Sequence, residues 1–200
     1  MFENLLKLEK FINSELSSKI QKSLIENDEL LLEINEEDLI EVIQFLKSNE
    51  NCKFKQLIDI AGVDYPDEEK RFKLIYLFLS HEHNHRIKIL IQFEANKLIN
   101  SITKIFPSAN WMEREVFDMY GIKFKNHPDL RRILTDYDFE GHPLRKDFPL
   151  TGFIQIRYDN EQKKIVNEPV KLDQEYRNFD NLSPWEGMSK YLPGDEKSDH

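Results

Sequence analysis

Two runs of alternating side chains constrain this chain more than any other feature. Phe72, Leu74, Tyr76 and Phe78 alternate with Arg71, Lys73, Ile75 and Leu77, and after the polar stretch Ser80 to His85 the alternation resumes at Ile87, Ile89, Ile91 and Phe93. A period of two sends alternate residues to opposite faces of an extended strand, so the pair predicts a β-hairpin. Around it, Phe2, Leu5, Leu8 and Ile12 fall at helical spacing, and Leu30 to Ile34 reads as a short strand. Asn35 followed by Glu36, Glu37 and Asp38 reads as an N-cap with acids in the first turn, ahead of an apolar face of Leu39, Val42, Ile43 and Leu46. Leu57 to Val63 predicts a strand closed by the turn residues Asp64, Pro66 and Asp67. Leu98 to Phe106 reads as a helix that stops at Pro107. Asn110 then caps a helix from Trp111 to Tyr120, with Glu113 completing a capping box and Gly121 as its left-handed stop. Helices mixed with a mostly antiparallel sheet predict an α+β, two-layer domain over residues 1–122.

From Phe124 onward both periodicities vanish for most of the chain, and six of the eight prolines fall there. Unstructured connections longer than about 15 residues are uncommon inside compact domains. Yet this stretch keeps Phe124, Tyr137, Phe139, Phe148, Phe153, Tyr158, Tyr176, Phe179, Trp185 and Tyr191, an aromatic load that disordered tails lack. Residues 123–200 are therefore expected to form a long extended C-terminal arm that orders by packing its aromatics onto a partner. The alternative is that the arm folds back over its own domain.

Composition narrows the chemistry. Among 200 residues Cys52 is the only cysteine, so this chain alone can build neither a disulfide nor a multi-thiolate iron–sulfur or zinc site. The net charge of −9 arises within residues 1–70, where eight Lys and no Arg face 17 Asp plus Glu. An acidic balance disfavours nucleic-acid binding, and an acidic, Arg-free start lacks the marks of a secretory or mitochondrial leader. The longest apolar run, Leu74 to Leu79, is far short of the roughly 20 residues a membrane span needs.

Several clusters invite a catalytic or metal reading. Glu113, Glu115 and Asp118 near His127 suggest acid/base work, but residues two apart on a helix point about 200° away from each other. Arg114 and Asp118 are spaced to pair at i and i+4, and the competing reading is a charged face over a core stripe of Trp111, Val116 and Met119. His81, His83 and His85 would share one face of a continuous strand, but they sit between strands and read as a polar turn. Asp64, Asp67, Glu68 and Glu69 lack the calcium-loop pattern and read as exposed turn. No phosphate-binding glycine loop and no nucleophile elbow occurs. Arg131, Arg132, Arg145 and Lys146 are interleaved with Asp129, Asp136, Asp138, Glu140 and Asp147, the mixed charge of a specific protein contact.

Glu113-Arg114-Glu115-Val116-Phe117-Asp118-Met119-Tyr120-Gly121-Ile122, followed by His127-Pro128-Asp129-Leu130-Arg131-Arg132-Ile133-Leu134, closely resembles the signature of the 30 kDa subunit family of proton-translocating NADH:quinone oxidoreductase, respiratory complex I. The resemblance continues through Thr135-Asp136-Tyr137 and Phe139 to Leu150. It more loosely covers Leu57 to Pro66 and Ser183-Pro184-Trp185-Glu186. One departure is Asp138, where the family pattern carries Gly. The resemblance implies a non-catalytic structural subunit of the hydrophilic peripheral arm, in its quinone-reducing connecting module, on the bacterial cytoplasmic or mitochondrial matrix side. It implies no cofactor in this chain, with FMN and iron–sulfur clusters in partner subunits. The implied neighbours are the subunit bearing the terminal iron–sulfur cluster and the large subunit that helps form the quinone cavity. The residues then expected to be structural and interface determinants are Glu113, Arg114, Glu115, Asp118, His127, Arg131, Arg132, Arg145 and Lys146. An equivalent subunit of another membrane-bound oxidoreductase, such as an energy-converting hydrogenase, is the nearest alternative. A free-standing enzyme using Glu113, Asp118 and His127 is the more distant one.

Overall fold

The computed structural model describes residues 2–172; the Ser183 to Glu186 motif and the aromatics from Tyr176 onward lie outside them. The described chain runs α1 (Phe2–Glu15), β1 (Ile20–Glu26), β2 (Glu29–Ile34), α2 (Leu39–Ser48), β3 (Gln56–Asp64), β4 (Phe72–Ser80), β5 (His85–Phe93), β6 (Ile99–Asn100), α3 (Ala109–Tyr120), β7 (Phe124–Lys125), β8 (Ile154–Asp159) and β9 (Lys164–Pro169). The α+β class read from the sequence is the class observed. Five strands form one sheet in the order β1-β2-β5-β4-β3, with every neighbour antiparallel except β2 and β5.

The hairpin predicted from the alternation is β4–β5, and its register matches apolar to apolar. Phe72 faces Phe93, Leu74 faces Ile91, Tyr76 faces Ile89 and Phe78 faces Ile87, all of them buried. These pairs give the sheet its stable face, since directly opposed aromatic and β-branched side chains are the unit of sheet stabilisation. Leu5, Leu8 and Ile12 of α1 and Leu39, Val42, Ile43 and Leu46 of α2 complete one continuous core with them. The histidine stretch is a turn at His81–Asn84, with Asn84 in the left-handed region at φ 51°. His81 Nε2 meets Gln56 and His83 Nε2 meets the Glu50 carbonyl, while the His83 and His85 rings stack with centroids 6.0 Å apart.

Other local expectations are corrected. Strand β1 has no counterpart in the sequence reading. Asn35 does not cap α2, because its side chain accepts a bond from Gln21 on β1, and the helix begins after Asp38. Residues 98–106 are not a helix: Ile99 and Asn100 pair in parallel with Phe124 and Lys125, and a turn at Ile102 follows. Helix α3 begins at Ala109 behind Ser108, with no capping side-chain bond, and Asn110 lies within the helix. Its stop is as expected: Gly121 has φ 75° and its N–H donates to the Phe117 carbonyl. Asp138 does not take up a positive φ, so the missing glycine carries no backbone strain there.

The chain divides into two compact units, Met1–Gly152 and Phe153–His200. The first runs 30 residues past the boundary drawn from the sequence, because residues 124–152 bond to α3 and to the end of β3. In the second, β8 and β9 form an antiparallel ribbon that the loss of periodicity concealed.

Candidate functional site

Helix α3 and the segment that follows it bring together the residues singled out from the sequence. Gly62 of β3 lets the helix come close, since a Cβ there would lie 2.8 Å from the Tyr120 ring. That contact fixes which helix face turns inward, and it carries Glu113, Arg114 and Asp118 under cover. Trp111 is instead 69% exposed, so the expected core stripe is corrected to Ala109, Val116 and Met119, with polar groups among them.

Asp118 has no exposed surface, yet it is fully answered. Its Oδ2 accepts the amides of Ile133, Leu134 and Thr135 at 3.0, 2.8 and 2.9 Å, and its Oδ1 accepts the Thr135 hydroxyl at 2.5 Å and Arg132 Nη1 at 2.7 Å. Burial pushes its titration upward, but the Thr135 hydroxyl, the amides and Arg132 together hold it well below the usual carboxylate range. Arg114 works in the opposite sense, donating from Nε and Nη2 to the carbonyls of Arg131 and Arg132 at 3.0 and 3.1 Å. The expected Arg114–Asp118 pair therefore does not form; each binds backbone of residues 131–135, whose polar groups would otherwise be stranded beside the helix.

Arg132 adds a bond from Nη2 to the Gly141 carbonyl at 2.9 Å and lies over the Phe139 ring. Further on, the Leu144 amide bonds the Met119 carbonyl, His142 Nδ1 the Asp118 carbonyl and Arg145 Nε the Tyr120 carbonyl. These satisfy the last carbonyls of α3, which a helix leaves without internal partners. The amide of Lys146 bonds Asp64 Oδ2 at 2.8 Å. Asp64, expected in an exposed turn, is corrected: it is buried at the end of β3 and held by the fork of Arg71 at 2.6 and 2.9 Å. Asp67, Glu68 and Glu69 do lie exposed. Asp64 and Arg71 are site residues that the sequence reading missed. Their one sequence signal is an Asp and an Arg at the facing ends of two strands joined by a turn.

Glu113 is buried differently. Its Oε1 accepts the Ile102 amide at 2.8 Å, whereas its Oε2 has no hydrogen-bond partner among the described residues and lies 3.9 Å from His127 Nε2. Burial pushes its carboxyl up to about 7, against lesser opposing pulls from Ser101 and the Ile102 amide. His127 is not free to act as a base: Nε2 donates to the Asn110 carbonyl and Nδ1 accepts the Asp129 amide. Glu115, Arg131 and Lys146 are exposed, Arg131 being paired with Asp129 at 2.8 Å. The nine residues thus separate into Arg114, Asp118, His127, Arg132 and Arg145, which tie residues 127–146 to α3, Glu113, which is buried against Ile102, and an exposed set of Glu115, Arg131 and Lys146. Among the described residues no group of three His, Cys, Asp or Glu is placed to hold a metal ion.

Residues 32–154 match the family model described as "Respiratory-chain NADH dehydrogenase, 30 Kd subunit". The chain belongs to this family. It is 50% identical over 198 residues to an NADH-quinone oxidoreductase subunit of Chelativorans sp. (strain BNC1), covering 99% of each chain. It is 52% identical over 196 residues to the subunit of the same name from Brucella ovis, covering 98% of this chain and 97% of that one. Among solved structures, the trypsin-resistant fragment (1-134) of Nqo5 aligns with TM-score 0.53 and 26% identity over 64% of this chain and 99% of that one. A chain of the archaeal membrane-bound sulfane sulfur reductase shares the fold at TM-score 0.63 and 21% identity, over 80% of this chain and 98% of that one. In this family member no described helix is long and apolar enough to cross a membrane.

Proposed function

We propose that this chain is a non-catalytic structural subunit of the peripheral arm of NADH:quinone oxidoreductase, in the connecting module where quinone is reduced. On this reading electrons pass from NADH through FMN and iron–sulfur clusters held by partner subunits, and reduction of quinone is coupled to proton translocation. The chain itself carries no cofactor. It holds the subunit bearing the terminal iron–sulfur cluster in register with the large subunit of the quinone cavity, on the cytoplasmic or matrix side. Such a role matters for rate because displacements of about 1 Å at a reacting centre can cost 100-fold.

The observation that carries the reading is the β8–β9 ribbon. Ile154, Ile156 and Tyr158 share one face with their cross-strand partners Pro169, Asn167 and Ile165, and the four large apolar side chains among them are 56–67% exposed. The other face is mostly polar, with Gln155 and Arg157 both bonded to Glu168 beside a half-buried Val166. A two-stranded ribbon is marginal in water, and an apolar patch of this kind marks a docking surface. The buried residues Glu113, Arg114, Asp118, His127 and Arg132 then shape the first unit, while Glu115, Arg131 and Lys146 are its outward contacts. The names of the curated relatives support the coarser part of this reading, a subunit of NADH-quinone oxidoreductase.

The test is to tag the chain at its N-terminus in its native host and purify it in mild detergent. Co-purified flavin, iron–sulfur absorbance and inhibitor-sensitive NADH:quinone turnover are expected. A colourless, partner-free monomer would overturn the reading.

A further inference from the structure

A cavity of about 280 Å³ opens beside the C-terminal end of α3, and Lys97, Gly121, Lys123, His142 and Arg145 contribute to its lining while no carboxylate does. In a chain of net charge −9 a lining that gathers Lys97, Lys123, Arg145 and His142 and no carboxylate calls for an account. His142 Nδ1 must carry the hydrogen it donates to the Asp118 carbonyl at 2.9 Å, and Nε2 has no hydrogen-bond partner among the described residues. Gly121 keeps the space open: a Cβ on it would lie 2.5 Å from His142 Nε2 and closer still to Arg145 Nη2, so these two nitrogens converge above the glycine. Arg145 is steadied by its Nε bond to the Tyr120 carbonyl and by the Phe72 ring beneath it, 5.4 Å from the guanidinium carbon. Its terminal nitrogens hold no carboxylate among the described residues. The nearby Asp64 and Asp147 are both bonded to Arg71. Lys97 is occupied by Glu36 at 2.7 Å and Glu37 at 3.9 Å.

Cations at a helix C-terminus neutralise its last carbonyls, and that accounts for the inner atoms of His142 and Arg145. It does not account for Lys123, which lies beyond the helix end and has no side-chain partner among the described residues, nor for the open fork of Arg145. We infer that this cavity receives a carboxylate side chain of a neighbouring subunit, bound by the Arg145 fork with Lys123 at the rim. The inference rests on the subunit reading above. A half-buried arginine backed by an aromatic ring is the kind of residue that anchors interfaces, and a planar fork suits a carboxylate.

The test uses the purified assembly, treated with a carbodiimide that joins amines to carboxylates only in direct contact, followed by mass spectrometry of the linked peptides. The expected result is a link from Lys123 to an Asp or Glu of another subunit, alongside the intrachain Lys97–Glu36 link as internal control. Lys123→Arg, whose guanidinium cannot react, is expected to abolish the link and keep assembly; Lys123→Glu is expected to lower assembled complex several-fold. Absence of a Lys123 link in a sample that shows Lys97–Glu36 would overturn the inference while the subunit reading stands. So would a link from Lys123 to Asp195, Glu196 or Asp199 of the same chain. A chain that purifies without partners overturns the subunit reading, and this inference with it.

Discussion

Replacing Glu113 by Gln should remove a loss of stability that the parent suffers as pH rises. The carboxyl has no exposed surface, one oxygen without a hydrogen-bond partner among the described residues, and a titration pushed by burial from 4.5 to about 7. In the unfolded chain the group ionises near 4.5, so between 4.5 and 7 the folded state binds one proton more than the unfolded state. Stability contributed by this site is therefore full below 4.5, falls as pH rises, and levels off above 7. Each pK unit is worth 1.36 kcal/mol, so a shift from 4.5 to about 7 corresponds to about 3 kcal/mol. Gln keeps an oxygen for the Ile102 amide and does not titrate. Urea unfolding of the full chain and of Glu113→Gln, followed from about pH 4.5 to 8, should show the variant gaining about 3 kcal/mol relative to the parent across that range. With ordinary denaturant slopes that is a relative midpoint shift on the order of 1–2 M urea. Groups common to both proteins cancel in the difference. Parallel curves at all pH values would refute the argument that burial of this carboxylate is costly.

Asp118→Ala should destabilise the chain by about 3–5 kcal/mol, measured by the same unfolding curves, because it strands Arg132 and three backbone amides beside a buried helix face. Since the folded Asp118 is held below its ordinary range, its contribution is present above pH 3.8 and is lost as acid protonates it; the parent and Asp118→Ala should converge in stability on titration to low pH. Gly121→Ala should cost about 1–3 kcal/mol, read from the same curves, through its positive φ and the crowding against His142 and Arg145. Arg131→Ala, which removes an exposed side chain paired with Asp129, should lower the amount of assembled complex more than turnover per assembled complex. Quantitative blue-native gels beside NADH:quinone assays would separate the two, and intact assembly with lost turnover would contradict it.

The β4–β5 hairpin is legible in the sequence because its faces are continuous, and the stop of α3 because only Gly121 readily supplies the left-handed residue. Strand β1 escapes that reading, although Asn27 and Asp28, both at positive φ, are the residues a tight two-residue hairpin turn asks for. The helix expected at 98–106 fails for a different reason: Ile99 and Asn100 find their partners 25 residues downstream, and no local pattern announces a parallel pairing of two residues. At the site, the residue types are visible but their partners are not. Arg114 and Asp118 have the spacing of an ion pair, yet tertiary backbone groups compete and win. The ribbon stays hidden because none of its residues is buried, so no core-facing stripe marks it as a pair of strands.

The parallel register of β2 on β5 sets Leu30 opposite Ile87, 57 positions along the chain. A β1–β2 hairpin leaving the ribosome has nothing to lie against until α2, β3, β4 and β5 have all been synthesised, and its inner edge meanwhile shows open backbone groups beside Leu30, Leu32 and Ile34. Pairings of such separation are slow, since a long loop must close before any contact rewards it. The same interval leaves the most acidic third of the chain exposed and self-repelling. During that wait, the surplus negative charge keeps nascent copies apart.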